Sequence, residues 1–126
     1  MKYLVVLVLL FGGANLFAKE GHLEETSFSV VKPLIGKGKV MFLEVGSDIC
    51  IPCQKMGKLL YQVKQKHPKY PIYFINVRKG REAAEQLKVM MIPTQIIFDT
   101  NGDELYRHIG LLSKQEVDAL FKKYKF

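Results

Sequence analysis

The amino-acid sequence predicts an α/β domain with a mixed central β-sheet flanked by helices. Three observations carry this expectation. Short, nearly continuous apolar runs alternate with segments of helical spacing, as in buried strands packed against helices. An Asn-Gly turn signal at Asn101-Gly102 joins the last two strands as a hairpin, adding an antiparallel pair to strand–helix–strand units. The 126 residues suit one domain, and 48% hydrophobic content with 8 Phe and 6 Tyr excludes a disordered chain.

Residues 1–18 read as a separate segment. Met1-Lys2 gives a short basic start, and Tyr3 to Phe11 runs without a polar side chain. Gly12, Gly13 and Asn15 break the run before Leu16-Phe17-Ala18. A basic start, an apolar core of roughly 7–15 residues and a small residue at the exit form a secretory signal pattern. The run falls short of the roughly 20 residues that span a bilayer, which sets an uncleaved membrane anchor second. Cleavage is expected after Ala18, with Ala14 as the alternative exit. Removing these 18 of 126 residues leaves 108, and losing Lys2 takes the net charge from +7 to +6. The mature domain, 19–126, is therefore expected in the periplasm or otherwise outside the cytoplasm, where cysteines meet an oxidising compartment.

Residues 19–26 are polar and read as a mobile start. From Ser27 to Ile35, the positions of Phe28, Val31, Leu34 and Ile35 have helical spacing, weakened by Pro33. Gly36 to Lys39 forms a turn, and Val40–Val45 (V-M-F-L-E-V) a strand buried on both faces, interrupted by Glu44. After the loop Gly46–Ile49, a helix runs from Cys50 to about Lys66, with Met56, Leu59, Leu60 and Val63 on one face and His67-Pro68 at its end. Ile72–Val77 is the second strand, Glu82–Leu87 a short helix and Thr94–Asp99 the third strand. Leu105–Ile109 alternates as the antiparallel partner. Ser113, with Glu116 three residues on, forms a capping box for a last helix whose apolar face is Val117, Leu120, Phe121 and Tyr124.

Two cysteines are too few to staple a fold, so their spacing matters more than their number. Cys50-Ile51-Pro52-Cys53 lies between a buried strand and a helix. Positions i and i+3 share a helical face and fall within disulfide reach. The first turn offers unpaired N–H groups and the positive end of the helix dipole, which favour a thiolate at Cys50. Pro52 sits in that turn, where its missing N–H costs nothing. Cys53, one turn further in, is expected to be more buried and to act as the resolving thiol. A purely structural disulfide would close only a four-residue loop and constrain the unfolded chain little. A zinc site would need a second ligand pair, but His22, His67 and His108 are scattered singly. A haem site would need His after Cys53, where Gln54 stands. No metal and no cofactor are expected. Lys55, Lys58, Lys64, Lys66 and Lys69 read as a solvated face, and nucleic acid is not an expected partner.

Taken together, V-M-F-L-E-V, C-I-P-C, I-Y-F-I-N-V, M-M-I-P-T-Q-I-I-F-D and the N-G-D-E-L-Y-R-H-I-G-L-L-S-K ending resemble the thioredoxin family. The resemblance covers nearly all of residues 27–124. It implies a thioredoxin-like fold and makes Cys50 and Cys53 catalytic. It also implies that Pro93, in Ile92-Pro93-Thr94, is a cis-proline facing the cysteines, with the backbone of Ile92 free to pair with an extended substrate. Read without the resemblance, Pro93 is an ordinary loop proline before an edge strand. Ile51, Pro52, Met91, Ile92 and Pro93 are the expected substrate-binding residues. Met90 and Met91 suit either the core or an adaptable apolar docking surface.

In the resembled family a buried acid stands six residues before the first cysteine; here that position is Glu44. A carboxyl inside V-M-F-L-E-V is costly to bury charged, so its pKa should rise. Poised near neutrality, it could take the Cys53 proton. The alternative turns Glu44 to solvent at a strand edge. Two departures stand out. Ile49 replaces the family's usual Trp, and the lysine that often partners the acid aligns with Phe74.

The expected function is an exported thiol–disulfide oxidoreductase that reduces disulfide-containing protein substrates as a monomer. The resemblance implies a membrane electron-transfer protein as its redox partner. The alternatives are a thiol oxidase or isomerase of the same fold, or a non-catalytic module holding a static disulfide.

Overall fold

The computed structural model describes residues 21–126; the leader segment 1–18 lies outside them. A four-stranded sheet in the order β2-β1-β3-β4 forms the centre. Its strands are β1 (Met41–Gly46), β2 (Ile72–Asn76), β3 (Thr94–Phe98) and β4 (Glu104–Ile109). β1 runs parallel to β2 and antiparallel to β3, and β3 antiparallel to β4. The sheet is thus mixed, as the strand–helix–strand order and the Asn101-Gly102 turn predict. The helices are α1 (Phe28–Val31), α2 (Ile51–Lys66), α3 (Arg81–Gln86) and α4 (Lys114–Lys123).

Every residue of β1 is buried because both of its faces are covered. Side chains alternate across a strand. Met41, Leu43 and Val45 join Val31, Ala83, Leu87 and Ile96 in one core layer, beneath α1 and α3. Phe42 joins Met56, Leu60, Val63, Ile97, Val117 and Phe121 in the other, beneath α2 and α4. Glu44 and Gly46 share the parity of Phe42 and so face α2.

Helix α2 buries Cys53, Met56, Gly57, Leu60 and Val63, a stripe at helical spacing. It ends at Lys66, with His67 as its C-cap ahead of Pro68. The Ser113–Glu116 capping box at α4 is present in both directions, at 3.2 and 2.7 Å. Pro33 confines the first helix. The expected helix over 27–35 is a single α-turn followed by a 3-10 turn, Lys32–Leu34, which contains the proline.

The expectation of a mobile start is corrected over residues 21–26. Leu23 is buried against the α2 layer, and its N–H donates to Gly57 O at 3.1 Å. Glu25 bridges to Phe74 alongside β2, and Thr26 N–H donates to Phe74 O at 2.8 Å. The Glu25 carboxylate accepts from Asn76 at 3.0 Å and pairs with Lys79. One apolar anchor and a run of backbone hydrogen bonds are enough to seat a polar segment along a strand edge. Composition alone does not reveal that seating.

Candidate active site

The register places the two loops of interest side by side. Val45 of β1 pairs with Thr94 of β3, so the C-terminal end of β1 lies beside the start of β3. The segment leading from Gly46 to Cys50 and the segment ending at Pro93 therefore leave the sheet at one edge. The Ile92–Pro93 peptide is cis, and Pro93 is buried while Ile92 is half-buried. The Pro93 carbonyl accepts from Gly110 N–H at 2.8 Å, which ties this loop to the end of β4.

Cys50 caps α2. Its sulfur accepts from Cys53 N–H at 3.3 Å, and its carbonyl accepts from Gln54 N–H at 2.9 Å. Pro52 occupies the first turn. Cys50 and Cys53 form a disulfide with Cα atoms 5.1 Å apart. Cys50 is half-buried, whereas Cys53 is only 3% exposed. An incoming thiol therefore reaches Cys50 first. The helix N-terminus favours negative charge at the Cys50 sulfur once the bond opens.

Ile51 and Met91 are both strongly exposed, as are Ile49 and Met90. Met90 and Met91, which suit either core or surface in the sequence, thus belong to the surface. An apolar rim is left around the disulfide. Asp48 and Arg78 form an ion pair at 2.8 Å beside it, and Arg78 holds the Asp48 carboxyl below its usual range.

Glu44 lies inside the protein with no exposed surface, which corrects the alternative of a solvent-facing acid. Its cross-strand neighbours are Phe74 on β2 and Gln95 on β3. No cation faces it from β2, where the register places Phe74. Burial pushes its pKa from 4.5 up to about 8, opposed by a hydrogen bond from Gln95. That bond runs from Gln95 Nε2 to Glu44 Oε2 at 3.0 Å. Two positions further along the same strand face, Gly46 meets Cys53: a Cβ there would come within 2.9 Å of the Cys53 sulfur.

A cavity of about 320 Å³ opens beside Cys53, lined by His22, Leu23, Ser47, Gln54, Gly57 and Phe74 among others. The buried thiol position thus has room next to it for water. Among the described residues no cluster of His, Cys, Asp and Glu is arranged to hold a metal.

Three parts of this site were not anticipated from sequence. The partner of Glu44 is Gln95, whose signal was a second polar residue inside a buried strand. Gly46 admits Cys53 against β1, and its signal was a glycine ending an apolar run. The strap over residues 21–26, which carries His22 and Leu23 to the cavity, left no comparable mark.

Comparison with known proteins places these features in context. The model of a thioredoxin-like domain matches residues 29–125. A thioredoxin from Chlamydia trachomatis is 29% identical over 91 residues, covering 72% of this chain and 87% of that protein. A thioredoxin from Chlamydia muridarum matches to the same extent. Among solved structures, a chloroplastic thioredoxin z superposes with a TM-score of 0.71 at 18% identity, covering 82% of this chain and 95% of its own. Oxidised mitochondrial thioredoxin 3 from Saccharomyces cerevisiae does so with a TM-score of 0.63 at 21% identity, covering 82% and 93%. These structural likenesses establish the fold.

Proposed function

The chain belongs to the thioredoxin-like domain family, and from that premise we propose that it is an exported protein-disulfide reductase acting through Cys50 and Cys53. Thiol–disulfide exchange is the activity that its dithiol motif and fold support. The carrying observation is the disulfide at the start of α2, with Cys50 accessible and Cys53 buried against β1.

In the reduced protein, the Cys50 thiolate attacks a substrate disulfide R–S–S–R′ and expels R′S⁻. This leaves Cys50–S–S–R. The Cys53 thiol gives its proton to the Glu44 carboxylate, directly or through water in the adjoining cavity. The Cys53 sulfur then attacks the Cys50 sulfur, the bond to R breaks, and R leaves as a thiol after protonation. In reverse, protonated Glu44 supplies a proton to Cys53 as it leaves the disulfide. The oxidised state described here, with a carboxyl whose pKa lies near 8, holds the acid form that this opening step uses.

The Ile92–Pro93 loop offers backbone for an extended substrate strand, and Ile51, Pro52 and Met91 supply apolar contact. Among the described residues, α3 alone separates β2 from β3. This compact connection, without a helical insertion, supports the reductase direction. The leader pattern of residues 1–18 supports export, and a reductase in an oxidising compartment needs electrons from a membrane electron-transfer protein. None of the described helices is long and apolar enough to cross a membrane itself.

Insulin reduction driven by a chemical reductant tests the reading. Wild type should turn over, Cys50→Ser should be inactive, and Cys53→Ser should accumulate the mixed disulfide. Equal activity in wild type and Cys50→Ser would make the disulfide static. A reduction potential in the neighbourhood of thioredoxin's, about −270 mV, supports the reductase direction, whereas one near about −120 mV reverses it. Sequencing the protein recovered from the exported fraction should find Lys19 at its start.

A further inference from the structure

Glu44 and Gln95 each leave one oxygen, Oε1 in both, fully buried with no hydrogen-bond partner. The two side chains face each other from adjacent strands in direct register. They are already joined by one bond, from Gln95 Nε2 to Glu44 Oε2. Two unpartnered acceptors on neighbouring groups are costly in a dry interior. A single proton resolves both. Placed on Glu44 Oε1, it turns that oxygen into a donor, and Gln95 Oε1 is an acceptor without a donor.

We infer that Gln95 is the positioning residue for Glu44, closing an acid–amide pair with it: Gln95 Nε2 donates to Glu44 Oε2, and the protonated Glu44 Oε1 donates to Gln95 Oε1. The inference rests on the assignment of Glu44 as proton acceptor and donor for Cys53. The other hydrogen of the carboxamide donates to Gly110 O at 3.1 Å, and Gly110 N–H donates to Pro93 O. Gly110 has φ +103°, a conformation that suits glycine. One carboxamide thus fixes the orientation of the buried acid and ties it to the strand end beside the Pro93 loop. Gln95 takes the place of a charged partner without adding charge.

The pair serves both directions of exchange. When Cys53 resolves a mixed disulfide, Glu44 must be ionised to take the proton. The bond from Gln95 Nε2 favours that ionised form. When the protein disulfide is opened, Glu44 must carry the proton, and the bond from Glu44 Oε1 to Gln95 Oε1 then holds that acid form in place. Removing Gln95 therefore takes a bond from each protonation state and slows both directions of exchange.

The groups around Glu44 make the effect separable. β2 presents Phe74 and β3 presents Gln95. α2 presents the Cys53 position, packed against neighbouring Gly46, and Met56 in the same layer. His108 on β4 stands in register with Gln95 but places its ring nitrogen 3.1 Å from Leu111 O, and Glu116 of α4 lies in its field. His22 lies across the cavity beside Cys53. Among the described residues Glu44 is the one buried carboxyl.

The test begins with wild-type oxidised protein, in which no thiol titrates. A pH titration by NMR should show the Gln95 side-chain amide signals moving with the same midpoint as the Glu44 carboxyl carbon. The rings of His22 and His108, followed in the same spectra, identify any movement that belongs to them. Gln95 signals that stay still through the Glu44 transition overturn the pair. Next, Gln95→Met should slow both the resolving and the opening half-reaction several-fold at neutral pH, because the acid loses its orientation in both protonation states. It should have no further effect in a Glu44→Gln background. Equal slowing in both backgrounds makes Gln95 merely structural and overturns the inference. If Glu44→Gln itself changes neither half-reaction, the assignment of Glu44 fails instead, which is a separate result.

Discussion

Gly46 and Cys53 are in direct contact across the β1–α2 interface, so close that a Cβ on Gly46 would lie 2.9 Å from the cysteine sulfur and 3.1 Å from its Cβ. Real side-chain carbons do not approach that closely, and the obstructing atoms belong to a residue held in a disulfide. Gly46→Ala must therefore push the start of α2 away from β1. Overpacking of this kind costs about 1–3 kcal/mol. Urea unfolding of the oxidised protein should show that loss, and the resolving step should slow because Cys53 is displaced. Unchanged stability would mean that α2 shifts freely at this point.

Glu44 makes stability depend on pH in a defined direction. Its pKa in the folded chain is raised to about 8 from 4.5. The folded state therefore binds this proton more tightly than the unfolded state does. The associated stability is fully present below pH 4.5 and is lost as pH rises through 8. The full shift corresponds to an upper bound on the order of 5 kcal/mol. Glu44→Gln keeps the shape of the protonated acid, and its amide can meet Gln95 on both sides. The variant should match wild type near pH 5 and exceed it near pH 9 in denaturant midpoint. A midpoint difference that stays constant with pH would remove Glu44 as the source.

The strap over residues 21–26 guards Cys53 from one side. Leu23 is buried among α2 residues and lines the cavity at Cys53 together with His22. Leu23→Ala should cost about 2 kcal/mol, the low end for a buried leucine, because the site lies at the margin of the core. It should also raise the alkylation rate of Cys53 in the reduced protein without a comparable change at Cys50. Mass spectrometry of singly labelled protein reads both rates. Parallel changes at the two cysteines would indicate a general loosening of α2 instead.

How much of this was legible in the sequence depends on the range of the interaction. The strands around Glu44, the helix behind Cys50 and the Ser113 cap follow from periodicity and capping chemistry, which are local. Element ends moved by one or two residues, as at Met41–Gly46 against an expected Val40–Val45. Glu44 was legible as an expensive carboxyl in an apolar run. Its partner was not, because pairing Glu44 with Gln95 requires the β1–β3 register, and nothing in either strand alone sets it. The Gly46–Cys53 contact is hidden for a similar reason, since it depends on how closely a helix seats on a sheet. The strap leaves no such mark, because polar residues can be held by backbone hydrogen bonds that composition does not show.

The apolar rim of the disulfide allows the proposed recognition of substrate to be tested apart from the chemistry. Ile49 and Ile51 flank Cys50, and Met90 and Met91 precede Ile92–Pro93; all four expose more than 60% of their surface. Such exposure of large apolar side chains around a reactive bond fits transient contact with a protein substrate. Burying one such side chain contributes about 1.5–3 kcal/mol, so losing a single contact should cost roughly tenfold or more in kcat/KM. Ile49→Asp and Met91→Asp should therefore both raise KM for insulin, and Met91→Asp should leave the rate with a small aromatic disulfide near wild type. Ile49 lies beside the helix N-terminus, so a carboxylate there also disfavours the Cys50 thiolate. Met91→Asp is free of that complication and gives the cleaner comparison. Equal loss with both substrates at Met91→Asp would show that the methionine positions the active site itself, and that the rim is not a docking surface.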